Sequence, residues 1–507
     1  MNTAMHLVNH SPGQTSRAPG CAGHLFLANL RGRMACLLLA LGATMILAQP
    51  CGAAPGEWEF TGSLNTGRSF HTATKLLDGR VLVAGGKTDL ASCELYDPAT
   101  GIWSFTGSLN NGRYYHTATL LLSGKVLVAG GYTAGSDSIL TAELYDPQTG
   151  TWTITGSPGR ERYNHAATLL ADGRVMIVGG LNPGTILNTT QLYDPAVETW
   201  SQTDKLNISR SYHTATLLTD GKVLVAGGEF TPGEATDTEI WDPTTGIWTL
   251  TGALNHGRSA HTATLLSNGK VLVAGGSISN GFQMTYASCE LFDPSTGIWT
   301  DTGDMNTARY EFTATLLPNG LVLVAAGIGE GLTNLASAEL YNPTSETWSV
   351  TGILNIARNN HGATLLDNGM VLVEGGSSSD DTSAELYNAG IIAATQASGR
   401  GSIDGQGDSA TFNFHAKSGD RVSGSLTFSD VAAGISISKA KVRTLTFNGG
   451  NSADLGGNAR LGDGSKVTYS VSLTDNGNGS SSDTFTISLS NGYSAGGTLT
   501  SGDIRIY

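Results

Sequence analysis

One cluster, an arginine followed three residues later by histidine and closed by a glycine doublet, recurs along the 507 residues in six full copies and a seventh that departs from it. The arginines are Arg68, Arg113, Arg162, Arg210, Arg258, Arg309 and Arg358, at spacings of 45, 49, 48, 48, 51 and 49. Behind them stand His71, His116, His165, His213, His261, Phe312 and His361. The second glycine of the doublet is Gly86, Gly131, Gly180, Gly228, Gly276, Gly327 and Gly376. An aromatic follows in "ELYDP" and its relatives, and tryptophan returns as Trp58, Trp103, Trp152, Trp200, Trp248, Trp299 and Trp348. A fixed period of this length means one supersecondary unit stacked on copies of itself, because a single unit cannot bury its own apolar face.

Each unit reads as four short strands. "HTATLL" and "VLVAGG" flank an Asx-Gly or Ser-Gly pair, from Asp78-Gly79 to Asn368-Gly369. Such a pair between apolar runs is a strong hairpin signal and predicts a two-residue turn with both residues at positive φ. "AELYD" forms the third strand, "DPTTG" the next turn, and "IWT" the fourth strand. A four-stranded antiparallel unit, repeated, is a propeller blade. The seventh unit ends at "AELYNAG" without a tryptophan strand, while an orphan one, "GEWEFTGSLNTGR", precedes the first. The chain's beginning is therefore expected to supply the outer strand of the last blade. The reading is all-β: a seven-bladed propeller over 55–390, closed by an N-terminal outer strand.

These residues resemble the kelch family of propellers, whose hallmark is a glycine doublet followed at intervals by tyrosine and tryptophan. The resemblance runs from Glu57 to about Gly390 in seven copies and implies aromatics packed between adjacent blades. Unit six departs twice, with Phe312 for histidine and Ala326 for the first glycine. The first glycine position thus requires smallness, while the second requires positive φ or very close packing.

The repeated histidines read as structural, since six blades offer the same one and a seventh replaces it. Two residues before each aromatic stands Glu94, Glu143, Gln191, Glu239, Glu290, Glu339 or Glu385. Seven arginines in register with six glutamates predict a repeated ion pair, within the usual limit of about 4 Å. Tyr115-His116 and Tyr212-His213 resemble the copper-ligand strand of galactose-oxidase-like kelch propellers. That group also uses a cysteine crosslinked to tyrosine and a histidine from a later domain. Cys93 and Cys289 occupy third-strand positions, and His415 is the tail's only histidine. The resemblance therefore implies at most a relative that has lost its cofactor residues. Sugar mutarotases or epimerases on the same scaffold form another enzyme class, but no catalytic acid–base pair stands out. No cofactor and no metal site is expected, copper included.

What varies lies in two loop sets. The loops entering the inner strands carry Phe70, Tyr114 and Tyr115, Tyr163 and Asn164, Tyr212, Tyr310 and Glu311, Asn359 and Asn360; those after the doublets differ in length. Variable loops on a repeated scaffold are where recognition resides. Tyrosine, asparagine and phenylalanine without added lysine suit a glycan or a neutral peptide, so the expected function is a binding or interaction module. The net charge of −14 excludes a nucleic-acid footprint, and a monomer is expected.

Arg31 and Arg33 precede "MACLLLALGATMILA", an apolar run too short for a membrane span of ~20 residues. Residues 1–54 are read as a secretion leader, with no membrane span in the mature chain and a secreted, cell-surface or periplasmic destination. Cys93 and Cys289, both in "ASCEL", act as small buried side chains rather than a disulfide. After a linker over 391–400, residues 401–507 alternate through frequent Gly, Ser and Asn turns. They predict a small β-sandwich or barrel. "DGQGD" and "DNGNG" lack the full spacing of a calcium loop, so turn chemistry is the expected reading.

Overall fold

The structure is a computed structural model. It describes residues 54–506 except 89, 134, 136–137, 231–232, 280–282, 391–395, 405–408, 418–422, 448–451, 475–482, 492 and 500. The leader, "DNGNG", and "DGQGD" beyond Asp404 lie outside them. No described helix is long and apolar enough to cross a membrane.

Seven four-stranded antiparallel sheets follow one another. In the first blade the strands are Thr72–Lys75, Val81–Ala84, Cys93–Asp97 and Ile102–Thr106, paired in that order. Each inner strand neighbours that of the next blade, and the seventh neighbours the first, so the ring closes. The second strands, "VLVA" in five copies, are buried at every position. A strand covered on both faces needs no polar alternation, which explains those continuous apolar runs. The outer strands meet water on one side and alternate instead, as in Ile102–Thr106.

The cores lie between blades. Val126, Val128 and Tyr145 of the second blade pack on Leu82, Ala84 and Leu95 of the first. The tryptophan and tyrosine of a blade pair across adjacent strands, as Tyr96 and Trp103 do with ring centroids 5.0 Å apart. Both also reach the preceding blade's outer segment: Trp103 Nε1 donates to Gly62 O at 2.7 Å, and Tyr96 Oη is hydrogen-bonded to Thr61 Oγ1 at 2.7 Å.

The inner hairpins differ in type from the expected two-residue turn. Leu76 N donates to Arg80 O at 2.8 Å, so three residues (Leu77, Asp78, Gly79) form the loop. Only the glycine has positive φ, at 85°. Asp78 Oδ1 accepts from Arg80 N instead, a turn stabilised by the side chain. This is the three-residue hairpin with its left-handed residue last.

The closing strand is Trp58–Phe60, outermost in the seventh blade, with Trp58 opposite Tyr387, Glu59 opposite Leu386 and Phe60 opposite Glu385. Trp58 is 7% exposed, lies 5.0 Å from Tyr387 and donates from Nε1 to Gly352 O at 2.9 Å. A Trp58→Ala variant is expected to lose about 3–5 kcal/mol of stability, read as a lower urea midpoint. A midpoint unchanged from the parent would mean that this strand does not hold the ring.

The C-terminal region is one nine-stranded antiparallel sheet, not two packed sheets. Eight strands run as a meander from Gln396–Asp404 to Ser494–Thr498, and the last, Ser501–Ile506, returns beside the first. The sheet curls over its own core of Phe412, Phe414, Phe428, Phe485 and Tyr493, with Phe412 and Phe485 stacked at 3.9 Å. Lys466–Thr474 alternates buried and exposed positions along its length. The first strand takes in Gln396–Arg400, part of the segment expected as linker, because it pairs on both sides. His415 faces outward and is exposed.

Candidate functional site

The repeat arginines form the frame beneath the variable loops. All seven are at most 1% exposed. Six pair with their glutamates at 2.6–2.9 Å: Arg68–Glu94, Arg113–Glu143, Arg210–Glu239, Arg258–Glu290, Arg309–Glu339 and Arg358–Glu385. Arg68 Nη1 also donates to Gly85 O and Ser92 O at 2.8 and 2.9 Å. The carboxylate is equally engaged, since Glu94 accepts from the backbone N of Asn65 and Thr66 at 2.7 and 3.0 Å. The third blade is the exception: Arg162 donates to Gln191 Oε1 at 3.3 Å, and burial holds its guanidinium down at about 10.

Above this frame, the residue preceding each repeat histidine adopts the left-handed conformation. Phe70, Tyr115, Asn164, Tyr212, Ala260, Glu311 and Asn360 all have φ between 49° and 57°. Non-glycine residues visit this region at a cost of about 1–2 kcal/mol, and strain of this kind clusters at functional sites. Their backbones hydrogen-bond in a closed circle. Tyr115 N donates to Phe70 O (3.3 Å), Asn164 N to Tyr115 O (3.2 Å) and Tyr212 N to Asn164 O (3.2 Å). Ala260 N donates to Tyr212 O (3.0 Å), Glu311 N to Ala260 O (3.1 Å), Asn360 N to Glu311 O (3.3 Å) and Phe70 N to Asn360 O (3.0 Å).

This ring borders a cavity of about 280 Å³, lined by Phe70, Tyr115, Asn164, Glu311 and Asn360 together with His71, His116, His165, Phe312 and His361. Of the sequence-predicted residues, the first five meet here. On one side Phe70 and Tyr115 are edge to face at 4.5 Å, extended outward by Tyr114, Tyr132 and Tyr163. On the other, Asn360 Nδ2 donates to Glu311 Oε2. Burial pushes the Glu311 carboxyl up, against a lowering from that bond, and burial likewise raises the Tyr115 and Tyr212 phenols. Asn164 Nδ2 is buried without a hydrogen-bond partner among the described residues.

The residues one position earlier brace the loops instead. Tyr114 bridges Tyr132, Tyr163 bridges Leu181, and Tyr310, 6% exposed, bridges Ile328. Asn359 pairs with Ser377, and its Nδ2 donates to Asn334 Oδ1. The two loop sets are thus bound together at their bases, with every second residue turned to the axis.

The repeat histidines sit below. Their side chains lie between blades: His116 Nε2 is hydrogen-bonded to Thr72 Oγ1 of the preceding blade at 3.0 Å, and Thr117–His165, Thr214–His261 and Thr313–His361 repeat this at 2.9–3.1 Å. Each ring packs on the first glycine of a doublet; a Cβ on Gly85 would lie 2.9 Å from His116 Cε1. Smallness is therefore required there, and Ala326, at φ 58°, shows that a methyl is tolerated. The second glycines, at φ 97–132°, stand where a Cβ would meet backbone oxygen, Ser211 O being 2.7 Å from that of Gly228.

Cys93 and Cys289 are buried in the interblade cores, away from the cavity, and their thiols donate to Ala91 O and Ala287 O at 3.6 and 3.4 Å. Burial raises them to about 11 and about 12. His256, Glu290 and Asp301 bring ligand atoms within 4.8 Å of one another, but Glu290 is already held by Arg258.

Known families match part of this ring. The KLHDC2/KLHL20/DRC7 Kelch-repeats domain matches residues 70–276, and the Kelch motif matches residues 258–306. Kelch repeats thus run through residues 70–306 of the seven-bladed ring. Among solved structures, the one titled "Structure of YjhT" is similar at 14% identity and a TM-score of 0.48, covering 57% of this chain and 99% of that one. No curated protein matches the chain. The propeller also carries two residues that the sequence reading passed over, Gly362 and Glu374 in the seventh blade. The available signal was the departure of "HGAT" and "VLVE" from "HTAT" and "VLVA".

Proposed function

We propose that this chain is a binding module whose kelch propeller receives an uncharged glycan, or the end of a neutral peptide, at the axial cavity. The observation that carries the reading is the pairing of an aromatic wall with Asn164 Nδ2, a buried donor still in need of an acceptor. Sugars stack their apolar faces on aromatic rings and satisfy amides and carboxyls with hydroxyls. A cavity of about 280 Å³ stands near the lower bound of ligand pockets, ~300 Å³, and accommodates one ring-sized group. The repeat arginines, held in the frame below, offer no free cation to draw an anion. Export of the chain rests on Arg31, Arg33 and the apolar run after them.

The test is a glycan array, followed by titration of the best binder. Tyr115→Ala is expected to weaken binding at least tenfold, in keeping with about 1–3 kcal/mol for an aromatic contact. Phe105→Ser, on an exposed outer strand, leaves it unchanged. Equal binding by both variants would place recognition elsewhere.

A further inference from the structure

The seam between the seventh and first blades differs from the others. Where the other copies carry Ala84, Ala129, Val178, Ala226, Ala274 and Ala325, the seventh carries Glu374. Opposite it in register is Gly362, where five copies have threonine and one has Ala166. A Cβ on residue 362 would collide with Glu374 Oε1, so the glycine makes room for the acid. Glu374 Oε1 lies 3.6 Å from His71 Nε2 across the seam, and both side chains are 0% exposed. Both ring nitrogens and both carboxylate oxygens have no hydrogen-bond partner among the described residues. Four orphaned polar atoms in one dry interface require an occupant.

We propose that Glu374 and His71 form a buried proton-binding site that locks the first blade to the seventh, one proton being held between the carboxyl and the imidazole Nε2. It replaces the threonine–histidine bond of four other seams. The groups that face the pair favour a proton over a metal ion. Arg68 from the first blade and Arg358 from the seventh direct positive charge at Glu374, Tyr96 stands on the first blade's third strand, and His361 adjoins His71. Two ligands under two guanidiniums make a poor cation site, whereas a shared proton needs no more. The 3.6 Å gap closes to a direct hydrogen bond after a shift of under about 1 Å.

Burial raises Glu374 to about 8 and, with Arg68, lowers His71 to about 3, so at neutral pH the proton resides on the carboxyl and the imidazole is neutral. The folded chain then holds a proton that the unfolded chain, titrating near 4.5, does not. Stability from this site is present at low pH and lost as pH rises through about 8, the proton leaving to solvent and a lone carboxylate staying behind.

The experiment follows folding equilibria of the full chain between pH 7 and 9 and reads the difference between parent and variants, so that the other histidines and the two thiols, common to all of them, cancel. The parent's folding constant is expected to fall about tenfold more over that range than that of Glu374→Gln. The double variant Gly362→Thr with Glu374→Ala, which rebuilds the common seam, lacks the same tenfold component and covers the case in which the single variant does not fold. Infrared difference spectra of the parent at pH 7 and 9 supply a readout without mutation, a buried carboxylic-acid band that disappears at the higher pH. Equal slopes in parent and variants, or no such band, would overturn the proposal in favour of an ordinary ion pair.

Discussion

Removing one repeat carboxylate, in a Glu339→Ala variant, is expected to cost about 3–5 kcal/mol and to drop the urea midpoint steeply. Glu339 accepts from Arg309 Nη2 at 2.9 Å, from Asn306 N and Nδ2 at 2.7 and 2.9 Å, and from Thr307 N at 3.0 Å. Its loss strands a guanidinium that is 0% exposed, and an uncompensated buried charge carries a penalty of this order. Glu339→Gln is the informative companion. The third blade already works with Gln191 at 3.3 Å from Arg162, so the amide keeps an acceptor in place and the loss is expected to be clearly smaller. An alanine variant within about 1 kcal/mol of the parent, the scale of an ordinary surface change, would show that the arginine finds water instead of a buried vacancy.

Acid is expected to unfold the propeller over a narrow interval. Burial holds His71 and His261 near 3 and His116, His165, His213 and His361 well below their ordinary value. The sign follows from proton counts. The folded state keeps these rings neutral while the unfolded chain, titrating near 6.5, protonates them. Their contribution is complete above pH 6.5 and is lost as pH falls toward the folded values. Up to six protons are taken up on unfolding, which sets a limiting slope of about 8 kcal/mol per pH unit. Glu374 works in the opposite direction with a single proton. Urea midpoints at pH 7.5, 6.0 and 5.0 measure the slope directly. His213→Phe, which copies the natural Phe312, is expected to fold and to reduce proton uptake by one. His213 suits this test because Ala166 in the preceding blade leaves its Nε2 unpaired. Midpoints unchanged between pH 7.5 and 5.0 would contradict the neutral, buried state of these rings.

The sequence disclosed whatever recurs in it. Seven arginines in register with six glutamates and one glutamine, seven tryptophans and the orphan "GEWEF" strand were enough for the blade count, the ion pairs and the closure, because each is a local pattern repeated. Hidden from it was whatever depends on neighbours in space. Phe70 and Asn360 lie 290 residues apart yet share a backbone hydrogen bond, and no local signal announces the shared conformation of seven unlike residues. The cavity took five of the ten loop residues, since alternation along an extended entry sends Tyr114, Tyr310 and Asn359 to the loop bases. Glu374 was legible only as an exception, and departures from a repeat carry information that the consensus erases. In the tail, alternation gave strands but not their closure, because one curled sheet and two packed sheets demand the same pattern.

The circle of seven amides has one more consequence. A helix accumulates peptide dipoles head to tail and ends in two opposite poles; here they run tangentially around a loop and cancel. Every backbone N–H in the circle is used within it, so the axial cavity takes its donors from the side chains that line it, those of the ring and of the repeat histidines below. Any residue that accepts a left-handed backbone, which excludes proline and disfavours valine, isoleucine and threonine, can stand at each station without breaking a bond of the circle. The mouth is therefore a seven-letter combination lock, whose letters evolution or an engineer can reset one at a time while the ring beneath stays unaltered.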